Sequence, residues 1–419
     1  MTRLPESPWR TRAGLRRIVD TLGAEQLRIV GGAVRDTLLG LPVTDIDLAT
    51  PLHPEAVMER LTAADIKVIP TGIAHGTITA IASGDRHEIT TLRRDVATDG
   101  RRATVAFAED WREDAARRDF TINALYAHAD TGVVEDWFGG LADLAARRIR
   151  FIGDAATRIA EDHLRILRFY RFAARFGGGE LDPASHAAAV AARHSLKSLS
   201  RERIADELTK ILALPDPRAI VCQMEEDGIF AVLLPEMAAD YRAGLDRLLA
   251  NEAAVKEAPA ALRRLAALLP AEPALAEQVA SRLRLSKRQR AHLVALAGRG
   301  EGALPPVRQL AHRAGIDAAR DLYLLAVDEA GVRAAAADLA GWTVPHLPIK
   351  GGDIVARGIA AGPEVAHILK AVEAAWVAEN FPDAARVAEL VDQKIGSVSE
   401  RRQQSIASAG ASGRAKRKP

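Results

Sequence analysis

Two aspartates separated by one residue, Asp45 and Asp47, follow closely on the segment Ile29-Val30-Gly31-Gly32-Ala33-Val34-Arg35-Asp36. Residues 27–30 read as a short buried strand, and Gly31-Gly32 breaks it where a helix carrying Arg35 begins. Backbone N–H groups and a guanidinium then face one spot, which suits a phosphate. In Asp45-Ile46-Asp47-Leu48 a strand's side-chain period of two sends both carboxylates to one face and Ile46 and Leu48 to the core. Such a pair can clamp divalent cations. A phosphate cradle beside it is what phosphoryl or nucleotidyl transfer requires, because that chemistry is mostly positioning and charge neutralisation. Each half also has a plainer reading, since a Gly-Gly between strand and helix serves as a tight turn.

Three further segments carry polar groups at chemical spacing. Glu88 lies in a predicted strand, His87-Glu88-Ile89-Thr90-Thr91, as a third carboxylate beside the first two or as an edge glutamate in solvent. In Arg117-Arg118-Asp119-Phe120-Thr121-Ile122-Asn123, the side chains of Arg118, Asp119 and Asn123 offer a cation, an acceptor and an amide. These could hold a ribose hydroxyl and a triphosphate, or form a surface ion pair worth under about 1 kcal/mol. In Glu161-Asp162-His163-Leu164-Arg165-Ile166-Leu167-Arg168-Phe169-Tyr170-Arg171, read as one helix over 158–172, Asp162, Arg165, Arg168 and Arg171 form a slowly drifting stripe. The stripe is a solvated charged face or a template. An aspartate that accepts and an arginine that only donates fit the edges of cytosine and adenine, and a mismatch against uracil or guanine costs about 1–3 kcal/mol.

Gly31-Gly32 with Asp45-x-Asp47, Arg118-Asp119-x-x-x-Asn123, and Glu161-Asp162-x-x-Arg165 together resemble the polymerase-beta-like nucleotidyltransferases, in the branch of bacterial CCA-adding tRNA nucleotidyltransferases and poly(A) polymerases. The resemblance covers the first half of the chain and thins in the tail. It implies an α+β fold, with an N-terminal nucleotidyltransferase head built on a mixed β-sheet and an all-α neck, body and tail. Its domains would be the catalytic head at 1–145, a neck with the templating helix at 146–214, a tRNA-binding body and tail at 215–395, and a disordered basic tail at 396–419.

By the same resemblance the partners are CTP, ATP and the tRNA 3′ end, and the cofactor is Mg2+ held by Asp45 and Asp47. One metal would lower the pKa of the terminal hydroxyl and a second would neutralise the leaving pyrophosphate. Gly31, Gly32, Arg35, Arg118, Asp119 and Asn123 would bind the sugar and triphosphate. Asp162 and Arg165 would read the base, with Arg168 and Arg171 on phosphates. Thr71 to Gly76, with His75 as a bystander, resembles the CCA-adding pattern rather than that of the polymerase. Residues 92–108 are expected to form a mobile loop of the kind used to add the terminal adenosine. Asp136 to Leu144, with Gly139 and Gly140, resembles a hinge, and Ser200 to Leu212 resembles a bracing helix with a serine cap and Arg201 or Arg203 facing RNA.

The elements that must position these residues follow from patterning. Residues 9–24 predict an amphipathic helix with Leu15, Ile18, Val19 and Leu22 inward, and strands are predicted at 66–69, 76–82 and 86–91. Pro54 opens a helix. Residues 282–290 are a basic patch or a solvated helix start. The chain of 419 residues is 48% hydrophobic but only 4% aromatic, consistent with close-packed Ala/Leu-rich helices in more than one unit.

Net charge is +2, yet residues 144–176 hold eight arginines against three acids. The single cysteine, Cys222, excludes an internal disulfide and a Cys-based zinc site, and fits a reducing cytoplasm. No run of eighteen apolar residues and no export signal is evident, so no membrane partner is expected. No His-Asp dipeptide occurs among the eleven histidines, so no appended phosphohydrolase activity is expected.

The alternatives are a poly(A) polymerase, an enzyme adding only A, and a non-catalytic RNA-binding protein that would not need Asp45 and Asp47. A CC-only enzyme is disfavoured by the full-length 92–108 segment, and a dinucleotide-binding module by the missing Gly-x-Gly-x-x-Gly spacing.

Overall fold

The computed structural model describes residues 1–73, 76–99, 102–300 and 303–397, so His75 and nearly all of the basic tail lie outside the described residues. The chain divides into two compact units, Met1–Met237 with Arg282–Leu285, and Ala238–Ser281 with the residues from Ser286 onward.

The first unit begins with α1 (Ala13–Leu22), whose Leu15, Ile18, Val19 and Leu22 are all buried, as their spacing predicts. Then come β1 (Arg28–Val30), α2 (Gly32–Leu38), β2 (Asp47–Thr50) and α3 (Pro54–Ala63). β3 (Lys67–Gly72), β4 (Thr77–Ala82) and β5 (Asp85–Thr91) follow. β6 (Arg93–Asp99) and β7 (Arg102–Phe107) pair with each other, and α4 (Trp111–Ala116), β8 (Tyr126–His128) and β9 (Val134–Glu135) complete the mixed sheet unit.

The main sheet has the order β3-β4-β5-β2-β1-β8-β9, with β2 and β5 parallel and every other neighbouring pair antiparallel. β2 and β1, the strands that bear Asp47 and lead into the Gly-Gly turn, lie at its centre.

Two expectations change here. Within the stretch expected to be a loop, Arg93–Asp99 and Arg102–Phe107 pair as antiparallel strands, β6 with β7. Leu92 N–H donates to Thr50 O and Ala108 N–H to Leu92 O, both at 2.8 Å, so the pair, which continues from β5, is tied at its root to the end of β2. β2 itself starts at Asp47, because its register with β5 begins at the pair Asp47 and Glu88, which leaves Asp45 just ahead of the strand. The alternation survives without regular pairing, since Ile46 and Leu48 are buried while Asp45 and Asp47 are exposed.

Helices α5 (Gly140–Ala145), α6 (Ala155–Glu161), α7 (Arg165–Phe176), α8 (Pro183–Ala191), α9 (Arg201–Leu212), α10 (Arg218–Glu226) and α11 (Ile229–Leu233) complete the first unit. The single helix expected over 158–172 is broken. Asp162 adopts extended backbone (φ −152°, ψ 104°) at the end of α6, and its Oδ1 accepts the Leu164 N–H at 3.1 Å, a local turn that leads into α7.

Gly140 is less a swivel than a point of close approach, since a Cβ there would lie 2.2 Å from the Thr121 carbonyl oxygen. Ser200 precedes α9 as expected but makes no side-chain cap bond.

The second unit is helical: α12 (Tyr241–Ala254), α13 (Ala261–Leu268), α14 (Pro273–Arg282, its last residue counted with the first unit), α15 (Lys287–Ala297), α16 (Val307–Ala314), α17 (Ile316–Ala326), α18 (Glu329–Leu339), α19 (Gly351–Val355), α20 (Pro363–Ala378) and a final helix over 384–397. That last helix runs past Gly396, where disorder was expected to begin.

In this unit Arg263 and Arg264 are buried on Glu252, and Arg263 also reaches Asp321 at 2.6 Å. The basic patch at 282–290 resolves into a helix start with a Ser286–Gln289 capping box. Its Arg282, Arg284 and Arg290 pair with Glu236, Glu202 and Glu277 respectively. Among the described residues, no helix is long and apolar enough to cross a membrane.

Candidate active site

The Gly-Gly turn exists for a close approach. Gly31 holds φ +63° and ψ −117°, a conformation favouring glycine, and a Cβ there would meet Arg118 Nη1 at 2.7 Å. α2 therefore starts with Arg118 against its first turn. Arg35, one turn on, is buried. It donates to Asn123 Oδ1 and to Asp36 and lies over the rings of Phe176 (4.1 Å) and Phe172 (5.4 Å).

Asn123 in turn donates to Asp119 Oδ1 at 2.9 Å, and Asp119 Oδ2 accepts from Arg168 Nε at 2.7 Å. A continuous polar line thus joins α2, the segment after α4, and α7. Burial alone would raise the pKa of Asp119. The Arg168 charge, the Asn123 amide and the Phe120 N–H outweigh it and hold the carboxyl below its usual range.

Around this line opens a cavity of about 480 Å3. Of the twelve residues expected at the site, Gly32, Arg35, Arg118, Asp119, Asn123, Asp162, Arg165 and Arg168 line it, together with Arg203. Arg171 does not. Its guanidinium donates to Glu207 Oε2 at 2.6 Å and covers the Phe172 ring at 4.7 Å.

Asp162 accepts from Arg203 Nη2 at 2.6 Å. Arg165 donates to the Arg158 carbonyl at 2.8 Å, to the Arg117 carbonyl at 3.3 Å and to Glu161.

A second cavity, about 410 Å3, contains Asp47, Glu88, Thr77, Thr90, Asp114 and Arg117 in its wall, and shares Arg118 with the first. Asp47 and Glu88 are register partners on the parallel strands β2 and β5. Loss of hydration at the cavity wall and the charge of Glu88 raise the Asp47 pKa, Asp45 adds to this, and Arg118 opposes it. Asp45 stands exposed beside this cavity without lining it, accepting from Thr44 Oγ1 at 3.1 Å. Glu88 accepts from Arg86 at 3.3 Å.

An all-oxygen donor set with surplus negative charge fits a hard divalent cation. Among the described residues, no three His, Cys, Asp or Glu side chains gather as a finished cluster. The pair with Glu88 nearby is what this corner offers.

Sequence reasoning missed Tyr126, Asp114 and the pairing of Arg203 with Asp162. Nothing in local spacing signals them, because each meets its partner only through the fold.

An acid corner on a mixed sheet is thus joined through one arginine to a cation-lined cavity. Residues 27–150 match the family model described as the Poly A polymerase head domain, and residues 179–241 match the probable RNA and SrmB-binding site of polymerase A. The mitochondrial CCA tRNA nucleotidyltransferase 1 of Mus musculus is 34% identical over 380 residues, 87% of this chain and 86% of its own length. The chain belongs to the CCA tRNA nucleotidyltransferase family. The CCA-adding enzyme of Anoxybacillus flavithermus is 39% identical over 225 residues, 53% of this chain and 55% of that protein. The crystal structure of the Bacillus stearothermophilus CCA-adding enzyme in complex with CTP superposes with a TM-score of 0.75 at 27% identity, covering 94% of this chain and 100% of that one.

Proposed function

We propose that the chain adds C, C and A to the 3′ end of tRNA from CTP and ATP, releasing pyrophosphate and choosing each base with side chains. The observation that carries this is the sharing of Arg118 between the two cavities. A nucleotide can lie with its base against Asp162 and Arg165 and its α-phosphate toward the acids of β2, with Arg35 and Arg118 against the charge between.

Asp119 and Asn123 are largely spent on each other and on Arg168, so they act on the sugar from a fixed frame. In the base cavity, Asp162 supplies an acceptor and Arg165 donors, the complement of cytosine and adenine. Arg165 turns from the carbonyls it holds to meet the base, and Arg168 remains at the wall for phosphate.

Asp45 and Asp47 would hold Mg2+, which when bound lowers the pKa of the attacking hydroxyl and neutralises the leaving pyrophosphate. A reducing cytoplasm is the compartment this reading implies.

The deciding experiment supplies purified protein with tRNA lacking its 3′ end and labelled CTP and ATP, separately and mixed. C before A, stopping at three nucleotides, is expected. Unlimited A without C indicates a poly(A) polymerase, A only on tRNA ending in CC an A-adding enzyme, and no incorporation a binding protein.

A further inference from the structure

Arg118 is placed by the protein at three of its nitrogens. Nε donates to the Tyr126 hydroxyl at 3.0 Å, Nη1 to the Asn123 carbonyl at 3.4 Å, and Nη2 lies 3.8 Å from Asp114 Oδ2. The Tyr126 hydroxyl donates onward to Asp114 Oδ2 at 2.5 Å, while Asp114 Oδ1 accepts the Arg93 N–H at 3.0 Å.

Both Asp114 and Tyr126 are buried. The Tyr126 ring meets Trp137 and Trp111 edge-on, with centroids 5.5 and 6.2 Å away. The hydroxyl therefore has a fixed position and a fixed sense, accepting from Arg118 and giving its proton to Asp114. Because Arg93 is the first residue of β6, the root of the hairpin belongs to the same hydrogen-bonded unit.

Arg118 borders both cavities, so a triphosphate spanning them must pass its guanidinium whichever base it carries. We propose that Tyr126 and Asp114 are positioning residues, which present the Arg118 guanidinium to the triphosphate of CTP and of ATP in one orientation. This rests on the nucleotidyl-transfer reading above. It makes the network indifferent to base identity, in contrast to Asp162 and Arg165, and makes its effect one of alignment more than of affinity.

The test compares the wild type, Tyr126→Phe, Arg118→Lys and the double variant in single additions of C and of A to suitably shortened tRNA. Tyr126→Phe deletes one oxygen and keeps the ring. For C and for A alike, kcat/KM should fall by about tenfold, with the larger share in kcat. The double variant should lie within about twofold of Arg118→Lys alone, because both substitutions break one unit. Thermal unfolding midpoints separate a loosened fold from a misaligned arginine, and Asp114→Asn, expected to show the same pattern, replaces Tyr126→Phe if that protein fails to fold.

Effects that multiply in the double variant, or a loss confined to one nucleotide, overturn the proposal. Wild-type protein that incorporates neither nucleotide would refute the transfer reading by itself. Equilibrium binding of CTP and ATP to the same four proteins then decides the positioning claim, with a parallel, non-additive weakening expected and an additive one fatal.

Discussion

Arg203 Nη2 donates to Oδ2 of Asp162 at 2.6 Å, so an arginine of α9 fixes one oxygen of the carboxylate whose other oxygen is held by the Leu164 N–H. The carboxylate proposed to read the base is thus aimed from outside its own segment. Both side chains are partly exposed, so the pair itself is worth at most about 1 kcal/mol. Arg203→Ala should leave the unfolding midpoint nearly unchanged. The ratio of kcat/KM for CTP over UTP should drop by about tenfold, the equivalent of one misdirected hydrogen bond. Wild-type selectivity in this variant would show that Asp162 needs no such aim.

Asp119 links pH to stability. Its folded pKa lies below the unfolded value, so its contribution is present above the ordinary carboxylate range and is lost as pH falls through the folded pKa. Asp119→Asn leaves Arg168 with the more distant Glu207, whose nearest oxygen is 3.9 Å away. It should destabilise the first unit by about 1–3 kcal/mol at neutral pH. Denaturant titrations from neutral pH downward should show the two proteins converging below the unfolded pKa of aspartate. A gap that stays constant to low pH would mean that the carboxylate charge is not what stabilises.

Gly31→Ala combines a strained backbone with a Cβ pressed on Arg118. A loss of about 1–3 kcal/mol is expected from the conformation alone. CTP and ATP binding should weaken in parallel, measurable by calorimetry. Gly84→Ala, at φ +86° with open space around it, should share the strain without the binding defect.

Asp45→Ala and Asp47→Ala should each lower C and A incorporation by more than about 10³-fold, while CTP binding measured without metal stays within a few-fold of wild type. Asp47→Asn should also raise the unfolding midpoint at neutral pH, since the fold strips hydration from that carboxylate and holds it against the Glu88 charge. A destabilised Asp47→Asn protein would contradict the electrostatic account of the acid corner.

What could be read from the chain was chemistry carried by near neighbours. Gly31-Gly32, Asp45 with Asp47, and Arg118 with Asn123 lie within a few residues of one another, and periodicity placed α1, β4 and β5 close to their true bounds. The break at Asp162 was hidden because the stretch has uninterrupted helical spacing, and only a side-chain bond to the Leu164 N–H reveals the restart. The pairing of β6 with β7 was masked by its charges, which outweighed the alternation of Val, Thr and Ala in a polar stretch. Asp119 finds Arg168 across 49 residues and Asp162 finds Arg203 across 41, so the partners that set their roles leave no mark on local spacing.

The non-helical turn at residues 162–164 has a consequence of its own. Asp162, proposed above to read the base, sits on a short stretch of unwound chain between α6 and α7, and Arg165, proposed to read it too, opens α7. On the proposed reading, the choice of base is set apart from the scaffold that holds it, and a change of diet would need rewriting over only a few positions.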